Sequence, residues 1–145
     1  MSRRLCLAAL LTAGLPAQAQ QPAPSGTSLA EAAAKRYPQP VRVGTLLQRQ
    51  VLQPVESQNT LGWVRNIVKL SDGSLAAVID YGGLFGLFSR PIAVPVDAMV
   101  LLGQYMEIVD FTPAQLDRFK TFDPAGTAPL PPDDVIRVGL ARPSH

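Results

Sequence analysis

The sequence predicts an all-β fold: a small antiparallel barrel of about six strands, with one short helix near its carboxyl end. Three observations carry this. Asp72-Gly73 stands between two apolar runs rich in Val and Ile. Gly103-Gln104 divides "AMVLLGQYMEIVDF" into two more runs. Between these pairs, "PIAVPV" alternates Ile92, Val94 and Val96 with smaller residues and Pro95.

The first hairpin follows from turn chemistry. "LGWVRNIVKL" from Leu61 to Leu70 runs into Ser71-Asp72-Gly73-Ser74, and "LAAVIDY" returns. Asp-Gly tolerates the positive φ angles of a type I′ turn, which joins twisted antiparallel strands. On the returning strand Leu75, Ala77, Ile79 and Tyr81 share one face, and Ala76, Val78 and Asp80 share the other. In the second hairpin, Gly103 at the first central position suits a type II′ turn. Pro95 donates no hydrogen bond, which marks an edge strand or a bulge. Gly62 heads the strand carrying Trp63, and that position favours a packed indole.

The helix is announced by "DFTPAQLDRF". Thr112 is the N-cap, Pro113 takes the first helical position and Gln115 completes a capping box. Phe111 and Leu116 have staple spacing, and Leu116, Phe119 and Phe122 are its core-facing candidates.

The flanks differ in character. Residues 1–19 have a basic start at Arg3 and Arg4, an apolar run of eleven residues from Leu5 to Leu15, and small residues at Ala17 and Ala19. That is the pattern of a secretory signal peptide, and the run falls short of the ~20 residues a membrane span needs. The protein is therefore expected to be periplasmic or secreted. Cys6, the only cysteine, lies within this leader, so the exported chain has no disulfide framework. Residues 20–40 read as a flexible leader with a short helix over 29–36, outside the barrel: Ser28 and Glu31 are spaced as a capping box, and Pro38 stops the helix. This helix docks through Leu29, Ala33 and Tyr37 or frays. Residues 41–123 form the domain, and 124–145 a Pro-rich tail. Within the tail, 135–139 is a short strand added to an exposed edge or part of a mobile end.

Composition narrows the function. Two of the 13 Lys and Arg leave with residues 1–19, so 11 basic residues face 11 acidic ones. A neutral exported chain has no electrostatic case for nucleic acid, and membrane contact is not favoured. His145 is the only histidine, which removes the usual transition-metal ligands and the usual base for a serine nucleophile. Asp80 and Asp97 sit at strand ends, where carboxylates bond backbone amides more often than they catalyse. "GGLFG" lacks the Lys-Ser/Thr ending of a phosphate loop. No enzyme activity and no cofactor are expected.

The remaining signal is "DYGGLFGLFSRP". Leu84, Phe85, Leu87 and Phe88 lie among Gly82, Gly83 and Gly86, with Arg90 beyond them. Arg and Phe are common interface anchors, so these five residues are the candidate interaction surface. Gly62, Asp72, Gly73, Gly82, Gly83, Gly86, Pro95, Asp97 and Gly103 are the candidate turn positions.

In order and spacing, "LGWV", the "SDGS" hairpin, "AVIDYGGLFG", "IAVPVDAM" and "FTPAQLDRF" resemble the PRC-barrel family, over Val43 to Phe122. The resemblance implies a compact barrel in which part of the apolar loop plugs the mouth. It implies no catalytic residue, since no cofactor-binding position of the photosynthetic members matches. It points instead to a non-enzymatic module that binds another protein or itself. The alternative is a small apolar ligand or a membrane surface.

Overall fold

The computed structural model describes residues 37–53, 58–83 and 87–141. The expected signal peptide and the helix over 29–36 lie outside them, as do Leu84, Phe85 and Gly86. The chain is mainly β, and its strands form one sheet. They are β1 (Tyr37–Arg42), β2 (Gln50–Leu52), β3 (Thr60–Lys69), β4 (Leu75–Tyr81), β5 (Arg90–Pro95), β6 (Met99–Leu102), β7 (Tyr105–Ile108), β8 (Ala128–Pro129) and β9 (Val135–Leu140). The one-turn helix α1 (Pro113–Leu116) and the 3-10 turns Val43–Thr45 and Val96–Ala98 complete the described elements.

The sheet runs β1-β9-β6-β7-β2-β3-β4-β5, with β8 beside β3. Six of its strands, β2 to β7, fall in the stretch where the barrel is expected. The sheet itself has nine strands and, among the described residues, is open: β1 and β5 end it without pairing. The strand count grew because the chain ends join in. β1 pairs antiparallel with β9 from Tyr37↔Leu140 to Arg42↔Val135, and β9 runs parallel to β6. Tyr37 to Pro40 is thus strand, not leader, and 135–140 is a strand within its own sheet.

One core cluster takes Val51 from β2, Val64 and Ile67 from β3, Ala77 and Ile79 from β4, Ile92 and Val94 from β5, Met99 from β6, Met106 and Ile108 from β7, and Ile136 and Val138 from β9. The turn Val96–Ala98 touches β4, β6 and β9 together. A sheet whose distant strands feed one core must curl around it.

The first hairpin forms as expected, with a different turn. Gly73 has φ 86, whereas Asp72 is not among the residues of positive φ. Gly73 N–H donates to Leu70 O (2.9 Å) and Leu70 N–H to Ser74 O (2.8 Å). This is the three-residue loop in which only the last position is left-handed, rather than type I′. The second hairpin pairs Leu102 with Tyr105, and Gly103 carries the positive φ (56) that a type II′ turn needs.

β3 contains a bulge at Arg65, between the pairs Val64↔Ile79 and Asn66↔Val78. The extra residue shifts the alternation, so Val64 and Ile67 both reach the core. Asn66 Oδ1 accepts from Ile67 N–H at 2.9 Å and holds the bulge. Gly62 lies inside β3 rather than at a turn. A Cβ there would stand 2.0 Å from Asp80 O, so only glycine permits this approach. Trp63 is 39% exposed, against the expectation of a packed indole. Its strand neighbours are Gln50 and Asp80, and Asp80 faces away from the core cluster.

Both sheet ends carry two prolines: Pro38 and Pro40 on β1, Pro91 and Pro95 on β5. Proline cannot donate to an incoming strand, so these edges resist strand addition.

Candidate functional site

The apolar loop between β4 and β5 is the candidate site, and it is built from its base upward. Tyr81 and Arg90 form the last pair of the β4–β5 ladder. Both are fastened to α1. Arg90 Nη2 donates to Leu116 O (3.0 Å) and Asp117 O (2.8 Å), and Nη1 donates to Phe119 O. These carbonyls lie at the carboxyl end of α1, where the helix leaves acceptors unpaired and a cation is favoured. Arg90 also lies over the Tyr81 ring, 5.7 Å from its centroid.

Tyr81 Oη donates to Asp117 Oδ1 at 2.7 Å and lies 3.3 Å from Pro113 O. Burial, then the bond to Asp117, pushes its phenol up to about 12. It therefore stays a neutral donor across ordinary pH. The helix is in turn fixed by its capping box: Thr112 Oγ1 accepts from Gln115 N–H (3.3 Å) and Gln115 Oε1 accepts from Thr112 N–H (2.8 Å). Leu116 is fully buried, and Phe111 meets Phe119 edge-on with centroids 5.0 Å apart.

On this base the loop turns through Gly82 (φ 73) and Gly83 (φ 80). A Cβ on Gly83 would stand 2.3 Å from Leu87 O, so the two sides of the loop touch through backbone. Leu87 is 64% exposed and Phe88 95%. Phe88 also has φ 63, a left-handed conformation that costs a bulky residue about 1–2 kcal/mol.

The sequence placed Arg90 on the interaction surface; the fold spends its guanidinium on α1 carbonyls and the Tyr81 ring. Leu87 and Phe88 are presented to solvent. Among the described residues the Asp80 side chain meets no strand-end amide: Arg65 grips it, Nε to Oδ2 at 3.1 Å and Nη2 to Oδ1 at 2.6 Å. Asp97 lies in the first turn of Val96–Ala98, a separate part of the fold from Asp80. Trp63, Tyr81 and Asp117 were not legible as site residues. Trp63 is hidden by the outward turn of its strand face, and the other two act across a tertiary contact that leaves no local pattern.

No protein-family model matches the chain, and no curated protein matches it.

Among the described residues, no group of three or more His, Cys, Asp or Glu is placed to hold a metal ion, and no helix is long and apolar enough to cross a membrane.

Proposed function

We propose that this chain is an exported, non-enzymatic binding module of PRC-barrel type, which meets a protein partner or a second copy of itself through the loop between Tyr81 and Arg90. The single observation behind this is Phe88. It forgoes the roughly 1.5–3 kcal/mol that burying a Phe provides, and it occupies a backbone region that disfavours it. Strain and exposure at one residue point to selection for something other than folding. The base of the loop is held by Arg90 and Tyr81, so Leu87 and Phe88 are presented from an anchored strand end, which lowers the ordering entropy lost on binding. The proline-bearing edges steer association away from strand addition and towards this tip. The curled sheet and the main core shared by its distant strands favour the barrel reading.

The test is in-cell crosslinking with a photoreactive residue at position 88, using position 71 in the polar β3–β4 turn as control. A discrete protein adduct at 88 and none at 71 is expected. Phe88→Gly should abolish binding of the captured partner and keep stability within about 1 kcal/mol of the parent, because relief of the left-handed strain offsets the added chain entropy. Equal labelling at both positions would remove the loop from the account. Exposed Trp63, Leu87 and Phe88 would also suit a bilayer surface. Co-sedimentation with vesicles that Phe88→Gly abolishes, without a protein adduct, would establish that reading instead.

A further inference from the structure

The outer face of β3, β4 and β5 divides into two halves. Towards the β3–β4 turn, Val68, Ala76 and Val78 are buried, and Ala93 and Phe122 pack against them. Phe122 comes from beyond α1 and is fixed by its N–H, which donates to Pro91 O at 2.7 Å. The chain covers this half itself. Towards the loop, one row of strand neighbours crosses the same face: Gln50, Trp63, Asp80 and Pro91. Here Trp63 is left 39% exposed.

Three side chains meet in this open half. The bulge sets Arg65 just past Trp63, directed away from the core. Its guanidinium folds back onto Asp80, the strand partner of Trp63, through Nε and Nη2. The Arg65 side chain stays 56% exposed and that of Asp80 27%. An ion pair this open to water contributes little to folding. Arg65 Nη1 meets no acceptor among the described residues, so the guanidinium keeps donors for a further carboxylate.

The charge pattern selects the partner. A cation and an anion side by side are their own complement under a two-fold rotation. In an isologous contact Arg65 meets Asp80 and Asp80 meets Arg65, and Trp63 beside the axis meets its counterpart. Trp and Arg are also the side chains that most often anchor interfaces. The prolines of β1 and β5 close the rival route, dimerisation by strand addition at the sheet ends.

We propose that a second copy of this chain packs on the face around Trp63 through a two-fold contact, in which each copy's Arg65 pairs with Asp80 of the other and the two indoles stack. This surface is distinct from Leu87 and Phe88 of the loop. Four strands ~4.8 Å apart make it only about 14 Å wide, so the dimer is weak, with a Kd on the order of 100 µM.

The test is sedimentation of the purified protein up to about 1 mM, with fluorescence over the same range. Trp63 is the only tryptophan, so its emission reports the contact directly and should move to shorter wavelength as the dimer forms. Trp63→Thr should weaken the dimer at least about tenfold, and Phe88→Gly should leave its Kd within about twofold. Arg65→Glu and Asp80→Lys should each be monomeric alone, because like charges then face each other, and should form a heterodimer when mixed. If Asp80→Lys does not fold, the double variant Arg65→Glu with Asp80→Lys decides: it rebuilds the internal pair, and should dimerise with itself but not with the parent. A parent that stays monomeric at about 1 mM overturns the proposal and leaves the face to a different occupant. It is equally overturned if Phe88→Gly abolishes the dimer while Trp63→Thr spares it, or if the complementary charge variants fold but do not associate on mixing.

Discussion

The connections at the two ends of β4 solve the same task by opposite chemistry. At its start, Ser71, Asp72 and Gly73 reverse the chain in three polar residues. Asp72 Oδ1 accepts from Ser74 N–H (2.9 Å) and Ser74 Oγ (2.6 Å), so the turn is satisfied by itself. At its end the chain needs residues 82–89 to reverse, and their described apolar members, Leu87 and Phe88, face solvent. This second connection is not self-sufficient; its base is held from outside, by α1. The first turn does what folding requires and no more. The second costs stability and recruits a helix, and that excess is what supports proposing it as the interaction site.

The comparison breaks most sharply at Arg90. Arg90→Met keeps the side chain's length and removes every bond to the α1 carbonyls. Hydrogen bonds to charged groups contribute about 1.5–3 kcal/mol each, and these act as a unit, so a loss of about 3 kcal/mol is expected in urea unfolding. No substitution in the polar turn should approach that. A loss under about 1 kcal/mol would show that the loop is not anchored through α1.

Next come the two glycines. Gly73 and Gly83 have nearly equal φ, 86 and 80, so alanine pays the same backbone strain at each. Their surroundings differ: nothing lies within 4 Å of a Cβ at Gly73, whereas Leu87 O lies 2.3 Å from one at Gly83. Gly73→Ala should lose about 1 kcal/mol, and Gly83→Ala about 2 kcal/mol or more. Gly83→Ala should also shift the Leu87 and Phe88 amide resonances. Equal losses would mean that the close approach across the loop is not sustained in solution.

These contrasts show what a linear reading can reach. The hairpins were legible because Asp72-Gly73 and Gly103-Gln104 are local signals, and the capping box of Thr112 and Gln115 is another. β1 and β9 were not. Tyr37 to Arg42 holds two prolines in six residues, and its partner lies about 100 residues away, so only the assembled sheet shows that both are strands. The open sheet follows from the same pairing, since strands added at β6 cannot be counted from turn spacing. Trp63 was misread because Gly62 announces a close backbone approach, which says nothing of the face its neighbour takes. For the candidate site, the glycine and apolar residues of one stretch are a local signal, and the structure shows Leu87 and Phe88 of that stretch exposed. The bonds of Arg90 to α1 were not legible because the carbonyls that accept them arrive from residues 116–119, beyond any local window.

The smallest effect separates the two connections by pH. Asp72 is held below its ordinary value of 3.8, first by the Ser74 hydroxyl and then by the Ser74 amide. A carboxyl depressed in the fold adds stability above its unfolded value and loses it as pH falls through the folded one. The polar turn should therefore weaken only below pH 3.8, and Asp72→Asn should flatten that part of the acid limb in urea titrations. Ser74→Ala should do part of the same, because it removes the leading cause while keeping the amide bond. Leu87, Phe88 and Ser89 carry no group that titrates there, so Phe88→Gly should leave the acid limb parallel to the parent's. An acid limb that Asp72→Asn leaves intact would mean that the turn is not stabilised by its own hydrogen bonds, and the contrast with the anchored loop would lose its reference.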